Sequence, residues 1–180
     1  MLVLHVCIVQ HGQKVREPGD PGLSQLGHEH AIRTARHLSD DWDLLCASPL
    51  RRARETAAPI GDLCHLAVSI DERLRERMNW GDGPSDVDLP SFLADWERAT
   101  QHRAWTPPSG DSSLATGNRM RMALESFRER GSSRVVVVSH GGATTDLLRT
   151  LFGDAAVETA AAGVIAKGNR ELRDHLADLE

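Results

Sequence analysis

No stretch of this 180-residue sequence approaches the run of about 18 consecutive apolar residues that reads as a membrane span. The opening Met1-Leu2-Val3-Leu4-His5-Val6 has neither the basic start nor the small-residue cleavage site of an export signal. A cytoplasmic protein without a membrane partner is expected. Long polar tracts, low-complexity segments and internal repeats are missing as well, so the length fits one folded domain over residues 1–180. Positive charge is in deficit, with a formal net charge of −5, whereas a nucleic-acid partner is normally met by a basic face or stripe. Cysteine is scarce and odd in number. Cys7, Cys46 and Cys64 lack paired metal-type spacing, and Cys7 and Cys46 lie in apolar runs, so free thiols in a reducing compartment are expected. No pair of histidines has a convincing ligand spacing, so neither a metal site nor a cofactor is expected. Against this background the cluster Arg51, Arg52 and Arg54 points to a small anionic or phosphorylated metabolite as the partner.

What is present is a set of apolar runs separated by helical patterns. Leu2 to Val9 is aliphatic at nearly every position, as a strand covered on both faces would be, and is expected to be central. Leu44 to Ala47, Ala67 to Ile70 and Arg134 to Ser139 are further strands, the last with the strongest signal in Val135-Val136-Val137-Val138. Helical patterns run from about Leu23 to Leu38, from Ser48-Pro49 (N-cap and first helical position) to about Leu63, from Ser112 to Arg130, and from Ala143 to Leu151. The stripe assigned to the third of these is Leu114, Met122 and Phe127. Strands alternating with helices imply parallel order and right-handed crossovers, hence an α/β, three-layer α/β/α sandwich around a mostly parallel sheet. From about 80 to 113 the pattern weakens, with four prolines and three of the four tryptophans, and reads as a cap-like excursion with a short helix near Ser91 to Ala99. The tail from Ala160 reads as a strand through Gly163-Val164-Ile165 and a last helix to Leu179.

Two of the strands stop at a histidine followed by glycine: Gln10-His11-Gly12 and Ser139-His140-Gly141-Gly142. Parallel sheets bind ligands beyond the carboxyl ends of their strands, so His11, Ser48 and His140 are expected at one crevice. Arg52, in the first turn of the helix after Ser48, should lean back into it, because helical side chains tilt toward the amino terminus. Two imidazoles, a guanidinium and the amides at the start of the helix after Gly141 make a site that phosphate prefers. A neutral histidine is a competent nucleophile toward phosphorus. Gly12 removes a side chain beside it, allowing a sharp turn and close approach of a ligand.

With these residues the chain resembles the histidine phosphatase superfamily, the phosphoglycerate-mutase-like proteins. Gln10-His11-Gly12 stands where that family has Arg-His-Gly. Leu23, Ser24 and Gly27 fit its Leu-Thr/Ser-x-x-Gly, and Ser48, Arg52, Ala53, Thr56 and Ala57 fit Ser-x-x-x-Arg-Ala-x-x-Thr-Ala. Leu74-Arg75-Glu76-Arg77 resembles the segment carrying the family acid, Gly110-Asp111-Ser112 its Gly-Glu-Ser, and Ser139-His140-Gly141-Gly142 its second histidine. The resemblance implies a metal-independent phosphatase acting on a small phosphomonoester through a phosphohistidine. His11 would be the nucleophile, Glu76 the acid and base, and Arg52 and His140 would hold the phosphoryl oxygens. Gln10, Gly12, Lys14 and Gly141 would complete substrate binding.

Position 10 departs from the motif, and Glu17 takes the place of an asparagine found in some members. An arginine at position 10 would add a forked cation; by analogy with removing an oxyanion donor, its loss costs roughly 10- to 1,000-fold in rate. Lys14 or Arg16 could compensate. Two other readings stay open on the sequence: a catalytically weak or repurposed member that binds an anionic ligand or a partner, and acid–base chemistry on a non-phosphorylated metabolite. A mutase is disfavoured because the segment from Trp80 to Ser113 is short for a mutase-type insertion. His5, His28, His37, His65, His102 and His175, with Arg51 and Arg54, read as structural or surface residues, and Trp80, Trp96 and Trp105 as packing residues that could also shape a pocket. Oligomeric state leaves no mark on the sequence.

Overall fold

The computed structural model describes residues 3–38, 41–82 and 87–158. Four parallel strands, β1 (His5–Gln10), β2 (Leu44–Ala47), β3 (Val68–Ile70) and β4 (Arg134–Ser139), form one sheet in the order β1-β4-β2-β3. The helices are α1 (Gln25–Ala35), α2 (Arg51–Cys64), α3 (Leu89–Gln101), α4 (Ser113–Glu129) and α5 (Gly141–Phe152). Every residue from Val135 to Val138 is fully buried, which is why four consecutive valines serve as a strand covered on both faces. Alternate residues of β4 face opposite layers: Val136 and Val138 pack with Ala53, Ala57 and Ile60 of α2, whereas Val135 and Val137 pack with Met120 and Phe127 of α4 and Leu147 of α5. The result is the three-layer α/β/α arrangement expected from the alternating pattern.

Four local expectations are corrected. Among the described residues β1 lies at one end of the strand order and β4 is central, joined to β1 on one side and β2 on the other. Helix α2 starts at Arg51 rather than at Pro49, and its N-cap Leu50 offers no side-chain cap; Ser48 Oγ accepts the Leu50 amide at 3.3 Å, short of the helix, and pairs with His140 at 2.7 Å. On α4, Leu114 and Met122 are exposed, and the buried face is Thr116, Gly117, Met120, Ala123 and Phe127. Cys7 is only partly buried, unlike Cys46 and Cys64. The strand and helix expected beyond Ala160 lie outside the described residues.

The excursion between β3 and α4 carries α3, started by Asp88, whose carboxylate accepts the Ser91 N–H. It has its own small apolar cluster of Met78, Phe92 and Ala99 with Trp80, Trp96 and Trp105 packed against it. A buried ion pair ties it to the sheet domain. Arg77 donates to both Asp146 oxygens of α5 at 3.1 and 3.2 Å and to Thr100 Oγ1 of α3 at 2.7 Å, while its guanidinium stacks 4.4 Å over the Trp96 ring. Among the described residues, no helix is long and apolar enough to cross a membrane.

Candidate active site

The carboxyl ends of β1, β2 and β4 converge because the strands are parallel and in register, Gln10 beside Ser139 and Ala47 beside Val138. His11 and His140 follow directly, and their ring centroids are 5.0 Å apart in an edge-to-face arrangement. His11 is constrained at both nitrogens. Its Nδ1 is 2.7 Å from the Gly12 carbonyl oxygen, which can only accept, so Nδ1 carries the proton. Its Nε2 lone pair accepts a hydrogen bond from Arg52 Nε at 3.2 Å. Burial, followed by the cations Arg52 and Lys14, lowers the His11 pKa to about 4 against a favourable pull from the Gly12 carbonyl. The imidazole is therefore neutral at pH 7.

His140 is fully buried, and its Nε2 pairs with the Ser48 hydroxyl at 2.7 Å. Burial and the nearby Arg52 hold its pKa far below the ordinary range. Its Nδ1 and the Nη1 of Arg52 are buried without a hydrogen-bond partner, and Asp20 comes no nearer to Arg52 Nη1 than 4.0 Å. Unsatisfied buried polar groups are uncommon in native proteins and call for an explanation. The Arg52 N–H beside a neutral histidine, joined by His140 Nδ1 in the tautomer that protonates it, suits an anion that arrives with the ligand.

Glu76 follows the single turn that ends at Leu74 and reaches the start of α5. Its Oε1 accepts from the amides of Arg77 at 2.9 Å and Ala143 at 2.8 Å, and its Oε2 from Gly142 at 3.2 Å. Burial raises its pKa, and these three amides only partly offset the effect. The amides at the start of α5, expected to serve the ligand, are thus in part committed to Glu76. A Cβ at Gly142 would lie 2.7 Å from both Glu76 Oε1 and the Trp96 ring, so the missing side chain makes room for acid and tryptophan together.

His11, Lys14, Arg52 and Glu76 line one cavity of about 260 Å³, closed by Met78, Asn79, Trp80, Leu89, Phe92 and Trp96. His140 stands behind His11. Gln10, Gly12 and Gly141 are not in the wall. Gln10 is exposed, and its amide lies against Gly141, 3.3 Å from where a Cβ would project. Gly12 is required for a reason other than the expected turn or ligand approach: a Cβ there would overlap the carbonyl oxygen of Gly27 in α1. Its amide donates to Thr56 Oγ1 at 3.0 Å, and that hydroxyl donates to the Arg52 carbonyl one turn back at 2.7 Å, so Thr56 ties the loop that carries His11 to the first turn of α2 that carries Arg52. Lys14 sits in a turn closed by its bridge to Leu23. Glu17 and Arg16 are exposed. Ser48 was expected at the crevice, and Trp80 and Trp96 as residues that could shape a pocket; Thr56, Met78, Asn79, Leu89 and Phe92 were not foreseen as site residues, although Thr56 stands in the Ser-x-x-x-Arg-Ala-x-x-Thr motif. A neighbouring cavity of about 310 Å³ shares Glu76, but its ionic groups are paired with each other, Arg75 with Asp82 and Arg119 with Asp111, both at 2.9 Å.

Comparison with known proteins places this geometry in a family. The chain is 33% identical over 175 residues to the glucosyl-3-phosphoglycerate phosphatase of Mycolicibacterium vanbaalenii, covering 85% of this chain and 76% of the relative. It is 31% identical over 165 residues to a protein of Erwinia tasmaniensis named "probable phosphoglycerate mutase", covering 84% and 76% of the two chains. Among solved structures, a complex of mycobacterial glucosyl-3-phosphoglycerate phosphatase with inorganic phosphate superposes with a TM-score of 0.66 at 30% identity, over 80% of this chain and 76% of the other. The model of the histidine phosphatase superfamily (branch 1) matches residues 6–165, and the chain belongs to that superfamily.

Proposed function

We propose that this protein is a metal-independent phosphatase that hydrolyses a small phosphomonoester through a phosphohistidine on His11. The observation that carries the reading is the state of His11: a neutral ring with its proton committed to the Gly12 carbonyl and its Nε2 lone pair held beside Arg52. A phosphoryl oxygen that takes the Arg52 N–H for itself releases that lone pair for attack at phosphorus. The Ser48 hydroxyl donates to Nε2 of His140, so that its Nδ1–H is turned to the same oxygens. As the bond from Nε2 to phosphorus forms, the bond from phosphorus to the alcohol oxygen breaks, and protonated Glu76, a form that burial favours, gives its proton to that oxygen. Water then attacks the phosphohistidine, Glu76 takes a proton from it, and phosphate leaves with His11 neutral again. The work is positioning plus charge stabilisation, which Arg52, His140 and Lys14 supply without a metal ion. The excursion bearing α3 supplies the apolar wall around the leaving group.

In this reading Gln10 replaces an arginine that would reach the phosphoryl group, and the enzyme works with one cation fewer. Hydrolysis of an aryl phosphate by the wild type, His11→Ala and Gln10→Arg tests this. Turnover is expected in the wild type, loss by at least about 10³-fold in His11→Ala, and a gain of roughly tenfold or more in Gln10→Arg. An inactive wild type that gains activity only as Gln10→Arg would instead identify a repurposed site.

A further inference from the structure

The phosphoryl end and the far end of the cavity differ in chemistry. Arg52, Lys14 and His11 gather at one end; Lys14 is close enough to His11 to act on its charge state. The remaining wall is Met78, Trp80, Leu89, Phe92 and Trp96, with Asn79 as its one polar member. Asn79 is already committed, its amide donating to the Gly19 carbonyl at 2.5 Å and to Asp82 Oδ1 at 3.0 Å. The indole N–H of Trp80 is likewise satisfied by the Val87 carbonyl at 3.2 Å. The Trp96 ring is held between the Arg77 guanidinium and Gly142. Among the described residues this half of the cavity therefore offers apolar area and no free cation. The Arg77 guanidinium, stacked on Trp96, is committed to Asp146 and Thr100, and Arg75 and Arg119 line the neighbouring cavity and are paired there. A second anionic group on a substrate would sit against tryptophan, phenylalanine and leucine, with Glu76 in the same cavity, desolvated and unpaired.

We infer that the leaving group of the substrate is an uncharged, largely apolar alcohol, and that Leu89, Phe92 and Trp96 select it against alcohols carrying a carboxylate or second phosphate. This rests on the phosphatase reading but names a substrate class that the reading leaves open. Area removed from water favours the apolar tail, and each added methylene is worth about fourfold. An unpaired carboxylate is rejected more strongly than a missing methyl, because the penalty falls on an ion rather than on a contact.

The test compares n-hexyl phosphate, glycerol 3-phosphate and 3-phosphoglycerate, whose alcohols are of similar reactivity, by kcat/KM. Calorimetric binding of n-hexylphosphonate and 3-phosphoglycerate to His11→Ala is measured in parallel, so that pocket preference is read even without turnover. The expected order is hexyl above glycerol by roughly 10- to 100-fold, with 3-phosphoglycerate lowest, and hexylphosphonate binding more tightly than 3-phosphoglycerate. The exposed Leu89→Lys variant should narrow the gap between hexyl phosphate and 3-phosphoglycerate by about tenfold, since it installs the missing cation. Equal or better handling of 3-phosphoglycerate by the wild type, in turnover or in binding, overturns the inference. Absence of turnover with the binding preference intact overturns the phosphatase reading and leaves the pocket assignment standing.

Discussion

His11 is fixed at both ring nitrogens, and this decides what it does as the pH changes. The Gly12 carbonyl holds the proton on Nδ1, Arg52 faces Nε2, and burial with the two cations Arg52 and Lys14 depresses the folded-state pKa to about 4. In the unfolded chain the ring titrates near 6.5. Between those values the unfolded state binds the extra proton and the folded state does not, so His11 lowers stability as the pH falls from about 6.5 to about 4. Above that window it contributes nothing, and below it the loss levels off. The loss amounts to no more than about 3 kcal/mol. Urea unfolding across this range should show a shallower decline in His11→Ala than in the wild type, and an NMR titration should place His11 near pH 4; parallel declines, or a midpoint near 6.5, would contradict the assignment. At this scale the sequence was informative about the placement of His11, His140 and Arg52, because strand ends and a helix start have predictable directions, whereas Glu76 was indicated only by the resemblance of its segment to the family's. The sequence placed Ser48 at the crevice but assigned its hydroxyl to an N-cap, locally the natural reading. Only the arrival of His140 on a neighbouring strand, 92 residues away, redirects that hydroxyl.

At the scale of elements, the loop that bears His11 is positioned by backbone laid directly on backbone. Gly12 packs on the Gly27 carbonyl, Gly27 packs on the Gln13 carbonyl, and the Ser24 amide donates to the same Gln13 oxygen at 2.9 Å. No side chain fits in that contact. Gly27→Ala should destabilise the protein by about 1–3 kcal/mol through overpacking, although alanine is ordinarily favoured in a helix, and should lower kcat by displacing His11. Denaturant unfolding of the purified variant checks the first effect, and stability raised by the usual alanine preference would refute it. The limits of β4 agree with those read from its valines because both faces of that strand are buried, so every residue carries the signal. Helix α4 shows the opposite case. Leu114 and Met122 are its conspicuous apolar residues yet stay exposed, whereas small residues, Gly117 and Ala123 among them, form much of the buried face against α5 and the sheet. Hydropathy cannot identify a face whose function is to let helices approach closely.

Across the whole molecule, the site draws on four segments separated in sequence: the end of β1, the start of α2, the turn before the excursion, and the end of β4. The alternation of strands and helices makes the first, second and fourth legible, since parallel order brings their carboxyl ends together. The excursion was visible only as a change in composition. Its attachment through the buried Arg77–Asp146 pair, with Thr100 and Trp96 on the same guanidinium, depends on residues with no local signature. That attachment places aromatic residues opposite His11 and sets Glu76, the neighbour of Arg77, against α5. In the proposed mechanism these elements converge on one chemical event, the passage of a phosphoryl group through His11. The most direct test mixes the protein with a phosphomonoester, quenches it in alkali, where a phosphoramidate survives, and locates the modification by peptide mass spectrometry. The account predicts one phosphoryl group on the His11 peptide, formed and lost at rates consistent with turnover and absent from His11→Ala. Turnover without such an intermediate, or phosphate carried on any other residue, would contradict it.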